Sequence, residues 1–167
     1  MLAPYLGMLW CFVRQFIRGP SGRQRFNVLA ALNAITHELV MVTNDAYINA
    51  ESVCELLRKV AALGLKIPVT LILDNARYQK CLVVAEMAAL LEIELLYLPS
   101  YSPNLNLIER LWKFVKKECL YSVYHRDFSS FKASIQACLN QTHTKHKTAL
   151  DKLLTLRFQT FEKSQFV

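Results

Sequence analysis

A short strand-like run, Val69-Thr70-Leu71-Ile72-Leu73, ends abruptly in an aspartate, Asp74. Such a run is too short for a core helix but suits a strand covered on both faces, entered at Pro68. Residues 79–91 follow with helical spacing, with Leu82, Val83, Met87, Leu90 and Leu91 as the inward set. Residues 93–98 then form a second strand-like run. A chain that alternates strand and helix in this way must build a mixed α/β sheet flanked by helices.

The preceding and following segments fit that class. Residues 9–17 are rich in aromatic and β-branched residues and read as a first strand, closed by the turn Gly19-Pro20-Ser21-Gly22. Residues 25–32 and 38–43 read as strands joined tightly through Thr36-His37, a hairpin. Asn49 is placed as a helix N-cap before Val53, Leu56, Leu57, Val60, Ala61 and Leu63, and Gly64 stands where a C-terminal cap belongs. Asn106 opens a helix reaching about residue 120, and helices at about 128–141 and 147–162 complete the chain. With 167 residues and no repeat or flexible linker, a single domain spanning 1–167 is expected.

Charge is distributed unevenly. The net charge is +7, yet residues 1–37 contain no Asp or Glu while holding Arg14, Arg18, Arg23 and Arg25. A second basic group follows Glu109: Arg110, Lys113, Lys116, Lys117 and Arg126. Basic clusters fit a polyanion such as nucleic acid, or equally a solvated lysine-rich face. The five cysteines are scattered without a Cys-x-x-Cys pair, which suggests a reducing cytoplasm rather than a disulfide framework or zinc knuckle. His143 and His146 near Cys138 read as surface histidines. The apolar start, residues 1–12, lacks a basic n-region and a cleavage site, and no run is long enough to span a bilayer, so no membrane association is expected.

The chemistry concentrates at Asp74 and Glu109. Ligands in open α/β sheets gather at the carboxyl ends of strands, where Asp74 stands, with Asn75 beside it to orient it or a bound water. Glu109 lies on the first turn of the helix that Asn106 opens. Two carboxylates from a strand end and a helix start can converge on a hard cation such as Mg²⁺, which takes one or two carboxylates plus substrate phosphates. Two such ions roughly 3.5–4 Å apart activate water and stabilise the leaving oxygen of a phosphodiester. Each residue also has a local explanation. Asp74-Asn75 can end a strand in an Asx turn. Glu109 can close an Asn-x-x-Glu capping box with Asn106, or pair with Lys113 one turn on.

The residues around the pair carry a more specific signal. Leu73-Asp74-Asn75-Ala76-Arg77-Tyr78, then Leu96-Tyr97-Leu98-Pro99-Ser100-Tyr101-Ser102-Pro103-Asn104-Leu105-Asn106-Leu107-Ile108-Glu109-Arg110-Leu111-Trp112, closely resembles the DDE-type transposases of bacterial insertion sequences, in the branch related to mariner-like elements. The 34 residues between Asp74 and Glu109 match the interval of that branch, and residues 23–32 resemble its second strand. The resemblance implies an RNase H-like fold with Asp74 and Glu109 as the second and third acidic ligands of a Mg²⁺ or Mn²⁺ pair. It implies hydrolysis of DNA at transposon ends and strand transfer into target DNA, usually at TA, by a cytoplasmic protein. Lys113, Lys116 and Lys117, with Arg110, are the candidate phosphate contacts, solvent being their alternative. Trp112 reads as core rather than as a base-stacking platform.

The chain departs from the family at one point. The family's first aspartate precedes the segment resembling residues 23–32, where this chain has no carboxylate. Asp45 follows the third strand and reads as a loop or capping residue. The expectation is therefore an N-terminally truncated copy, without its helix-turn-helix DNA-binding region, with an incomplete first strand that residues 2–9 partly replace, and with reduced or no activity. The alternatives are a non-catalytic DNA-binding or interaction fragment that partners full-length transposase or a second copy of itself, and another RNase H-like nuclease such as a resolvase, against which the Leu-Pro-Ser-Tyr-Ser-Pro block argues.

Overall fold

The computed structural model describes residues 12–13, 24–100, 102–121 and 123–158. The expected strand at 9–17 and the turn at 19–22 lie outside these residues, apart from Phe12 and Val13. Strands β1 (Asn27–Leu32) and β2 (Leu39–Asn44) are followed by helix α1 (Ala50–Ala61) and strand β3 (Val69–Leu73). Helix α2 (Leu82–Leu90), strand β4 (Ile93–Tyr97) and helices α3 (Leu107–Cys119), α4 (Phe128–Asn140) and α5 (Lys147–Leu153) complete the order. Short 3₁₀ turns at Arg77–Gln79 and Pro103–Leu105 precede α2 and α3. The class is mixed α/β.

β1 and β2 form the expected antiparallel hairpin, with Asn27 opposite Asn44 and Leu32 opposite Leu39. Its connection is longer than Thr36-His37 alone. The Asn33 side chain accepts from the N–H groups of Ile35 (2.9 Å) and Thr36 (3.0 Å), an Asx turn, and His37 takes φ +62° before β2 begins. β3 and β4 pair in parallel, Val69 opposite Ile93 and Leu73 opposite Tyr97, as the crossover through α2 requires. Asn49 caps α1 as expected. Its side chain accepts from the Ser52 N–H (3.0 Å), and its own N–H donates to the Ser52 hydroxyl (3.4 Å). Gly64, at φ +62°, turns the chain away after α1 in a conformation that costs a side-chain-bearing residue more.

Two apolar clusters lie on the two sides of the strands. One joins Val53, Cys54, Leu57 and Val60 of α1 with Val84 and Ala88 of α2, and takes Leu29, Val40, Leu71 and Leu95 from the strands. The other joins Leu111, Val115 and Cys119 of α3 to Phe131, Ile135 and Leu139 of α4 and Leu150 of α5, against Val28, Leu32 and Met41. Both strand pairs thus share the α1–α2 layer, but α3–α5 cover β1 and β2 and leave the opposite face of β3 and β4 open. Ile72 is 52% exposed and Leu96 50%. The expectation that β3 is covered on both faces is therefore corrected among the described residues.

Two helix expectations also change. In α2 the buried residues are Val84 and Ala88, whereas Leu82, Val83 and Leu90 are exposed and Met87 and Leu91 half-buried. α2 is apolar nearly all round, so its sequence carries little phase information, and close packing on α1 selects a narrower side chain and an alanine. α5 ends at Leu153 rather than near 162, with residues 154–158 continuing outside a helix.

The phase of α2 can be tested by urea unfolding. Val84→Asp buries an unpaired charge and should lower stability by at least about 3 kcal/mol, while Leu90→Lys should stay within about 0.5 kcal/mol of the parent. The reverse ranking would place the wrong face of α2 on the core.

Candidate active site

Asp74 follows the last residue of β3, at the carboxyl end of the parallel pair. The Leu73 carbonyl accepts from the Leu98 N–H (2.9 Å), extending the pairing to this point and fixing where the chain turns out. Asp74 is solvent-exposed, and its Oδ1 accepts a hydrogen bond from Asn106 Nδ2 at 2.7 Å. Asn106 is itself buried, at 8% exposure, and caps α3. Its Oδ1 accepts from the Ile108 N–H (3.2 Å) and its carbonyl from the Glu109 N–H (3.2 Å). One amide side chain therefore connects the strand end that carries Asp74 to the helix start that carries Glu109.

Glu109 sits half-buried in the first turn of α3. Neither local explanation of this residue is realised. The capping interaction uses Ile108 rather than a reciprocal Asn106–Glu109 box, and the ion pairs among the described residues do not include Glu109 with Lys113. Asp74 likewise makes no Asx turn. The Ala76 N–H donates to Gln79 Oε1 (3.4 Å). Asn75 donates from Nδ2 to the Ser100 hydroxyl (2.9 Å), so it ties the strand end to the loop before α3 rather than orienting Asp74.

Asp74, Asn106 and Glu109 open on one cavity of about 240 Å³. Residues 28–32 of β1 and 71–73 of β3 line it in unbroken succession, so the facing strand edges form its sides. Leu56 of α1 and Ile108 and Trp112 of α3 complete the lining, and Trp112 also packs on the α3–α4 core. Larger hollows lie elsewhere. One of about 430 Å³ is bordered by Arg25, Asp45 and Tyr47, and one of about 540 Å³ by Leu65, Ile67 and Glu92. Neither brings together two carboxylates, so the smaller cavity has the stronger chemistry.

Tyr78 also lines this cavity. Burial, and then the charge of Asp74, push its phenol above the ordinary tyrosine range. At neutral pH the group is a hydrogen-bond donor beside a carboxylate, suited to a phosphate oxygen or a water. Tyr78 was not among the expected site residues, although it lies in the Asp74 motif. Its place just past the strand end, on the turn that leads away from Asp74, was the available signal.

The basic candidates divide. Lys113, Lys116 and Lys117 are exposed, and Lys113 and Lys116 lie one and two turns from Glu109 on its own stripe of α3. Arg110 is committed to the chain itself. Its guanidinium donates to the carbonyls of Thr155 (2.8 Å), Arg157 (3.3 Å) and Leu153 (3.4 Å) and lies over the Phe158 ring. Asp45 is ion-paired through both oxygens to Lys132 (2.7 and 2.9 Å), away from the Asp74 cavity. His146 packs edge-on against Phe114, and Cys138 is buried in the α3–α4 core with Cys119, whose proximity together with burial pushes the Cys138 thiol above the ordinary cysteine range. Among the described residues no three His, Cys, Asp or Glu side chains form a metal-holding group, and no helix is long and apolar enough to cross a membrane.

The phenol of Tyr78 offers a direct test of the cavity's electrostatics. An NMR titration of the Tyr78 ring should place its pKa above that of free tyrosine, and Asp74→Asn, which removes the second cause, should lower it. An unchanged value in that variant would separate the two side chains.

The family model described as DDE superfamily endonuclease matches residues 14–132, well over half of the chain. No curated protein matches the chain.

Proposed function

We propose, from the premise that the chain belongs to the DDE superfamily endonucleases, that Asp74 and Glu109 are the second and third acidic residues of a transposase site acting on DNA. One observation carries this reading. A strand-end carboxylate and a helix-start carboxylate, joined through Asn106, open on the same cavity. The family generally uses divalent metal ions, and the donor set here fits one, because two carboxylates supply hard oxygen ligands of the kind Mg²⁺ or Mn²⁺ takes. When bound, such ions activate water for attack on a phosphodiester and neutralise charge on the leaving oxygen.

The chain's own residues have separable tasks. Asp74 and Glu109 hold negative charge at the cavity mouth. The Tyr78 hydroxyl donates toward a phosphate oxygen or the attacking water. Lys113, Lys116 and Lys117 meet DNA phosphates along the helix that bears Glu109, whereas Arg110 secures residues 153–157 beside it. The finer reading is a bacterial, mariner-related transposase acting at transposon ends and TA targets from the cytoplasm, built as one RNase H-like domain over 1–167. The antiparallel hairpin, the parallel pair and the cavity between the edges of β1 and β3 support the fold part of it.

The carboxylate count bears on activity. Residues 1–37 hold none, and among the described residues no Asp or Glu other than Asp74 and Glu109 lines the cavity. A two-carboxylate site holds its ion weakly, so reduced or no cleavage is the proposed behaviour. The same count favours the second reading, a non-catalytic DNA-binding or interaction role alongside an active transposase or a second copy of this chain.

A supercoiled plasmid incubated with the purified chain and Mg²⁺ or Mn²⁺ tests this directly. The expected result is weak or absent nicking, with any trace abolished in Asp74→Ala and Glu109→Ala. Robust nicking would overturn the proposed weakness, and robust nicking unaffected by either variant would overturn the site. DNA binding should weaken with salt. Replacing Lys113, Lys116 and Lys117 together by Gln should flatten the log–log salt slope by about 2–3, at about 0.9 for each phosphate no longer neutralised. An unaltered slope would leave these lysines in solvent.

A further inference from the structure

Resting on the proposed metal site, we infer that Asn106 is a positioning residue. It turns Asp74 so that Oδ2 is the oxygen offered to a cation, and it ties that orientation to the first turn of the Glu109 helix. A helix N-cap needs an acceptor, which Asn106 Oδ1 supplies to the Ile108 N–H. Ser, Thr and Asp cap comparably well. The structure uses a second capacity that those residues lack. Nδ2 donates at 2.7 Å to Asp74 Oδ1, across 32 positions of sequence, while Oδ1 remains on the helix. Aspartate would set a second negative charge against Asp74, and a serine hydroxyl is too short to span both partners. Only this orientation of the amide satisfies both neighbours, because a carboxylate requires a donor and a backbone N–H an acceptor.

The surroundings sharpen the effect. Asn106 is buried, so neither hydrogen bond is readily replaced by water. With Oδ1 engaged, Asp74 keeps Oδ2 without a hydrogen bond among the described residues. Asn75, the neighbour that could have competed for Asp74, is drawn to Ser100 instead. Groups behind a metal ligand fix in this way which of its atoms faces the ion, a contribution worth roughly 10–100-fold in metal affinity.

The test separates capping from positioning. Mn²⁺ binding is measured by electron paramagnetic resonance on the full chain, beside thermal unfolding and the amide exchange of Ile108. Asn106→Ser keeps a cap and loses the reach to Asp74. Its expected behaviour is parent-like unfolding and Ile108 protection with roughly 10–100-fold weaker Mn²⁺ binding. Asn106→Ala should lose both. Parent-like Mn²⁺ affinity in Asn106→Ser, with affinity abolished in Asp74→Ala, would overturn the positioning role and leave the metal site standing. Unchanged affinity in Asp74→Ala would instead overturn the metal site. A measurement on the parent protein guards against a variant that folds poorly. The Asn106 side-chain amide protons should exchange slowly with solvent in the parent and lose that protection in Asp74→Ala, and protection that persists there would contradict the hydrogen bond.

Discussion

Helix α3 is gripped by the core on one side and borders the Asp74 cavity with its first turn, and that division governs the rest of the molecule. Leu111 and Val115 are fully buried against β1, α4 and α5. Burying each such side chain contributes about 1.5–3 kcal/mol, whereas an N-cap is worth about 1 kcal/mol. Packing therefore decides that α3 lies on the strands, and the cap decides how its first turn meets the end of β3. Glu109 occupies that first turn, where a rigid helix places a carboxylate more reliably than a loop would.

The opposite layer sets the other half of the geometry. α1 and α2 pack across both strand pairs and hold them side by side, with β1 and β3 bordering a common cavity. Asp74 emerges where the β3–β4 pairing ends, and Asn75–Ser100 and Asn106–Asp74 tie the intervening loop back to that point. Two hydrogen bonds thus hold the crossing from strand to helix, while Arg110 fastens the chain after α5 onto the same turn. The site is assembled from elements that are each stabilised for reasons of their own.

What could be read from the residues was what local chemistry determines. The Asn49 cap, the C-terminal cap at Gly64, the hairpin and the start of α3 at Asn106 each follow from groups a few positions apart. The inward face of α2 could not be read, because a helix apolar on most sides offers no stripe to choose. The open face of β3 escaped for a related reason: a continuous apolar run records that a strand is hydrophobic, and only the placement of distant helices decides which face they cover. The motif identified Asp74 and Glu109, yet each also had a sufficient local explanation, an Asx turn or a capping box. The structure replaces both with the Asp74–Asn106 hydrogen bond, which no short-range pattern encodes.

The family and the strand-end and helix-start carboxylates support a single central claim, that Asp74 and Glu109 ligate the same divalent cation. Crystals of the chain soaked in Mn²⁺ would test it most directly through the anomalous difference map. The account predicts a peak within about 2.0–2.3 Å of an oxygen of each carboxylate, with Asp74 Oδ2 as its ligand atom. A peak bound by neither residue, or bound at Asp45 while the Asp74 cavity stays empty at saturating Mn²⁺, would contradict it.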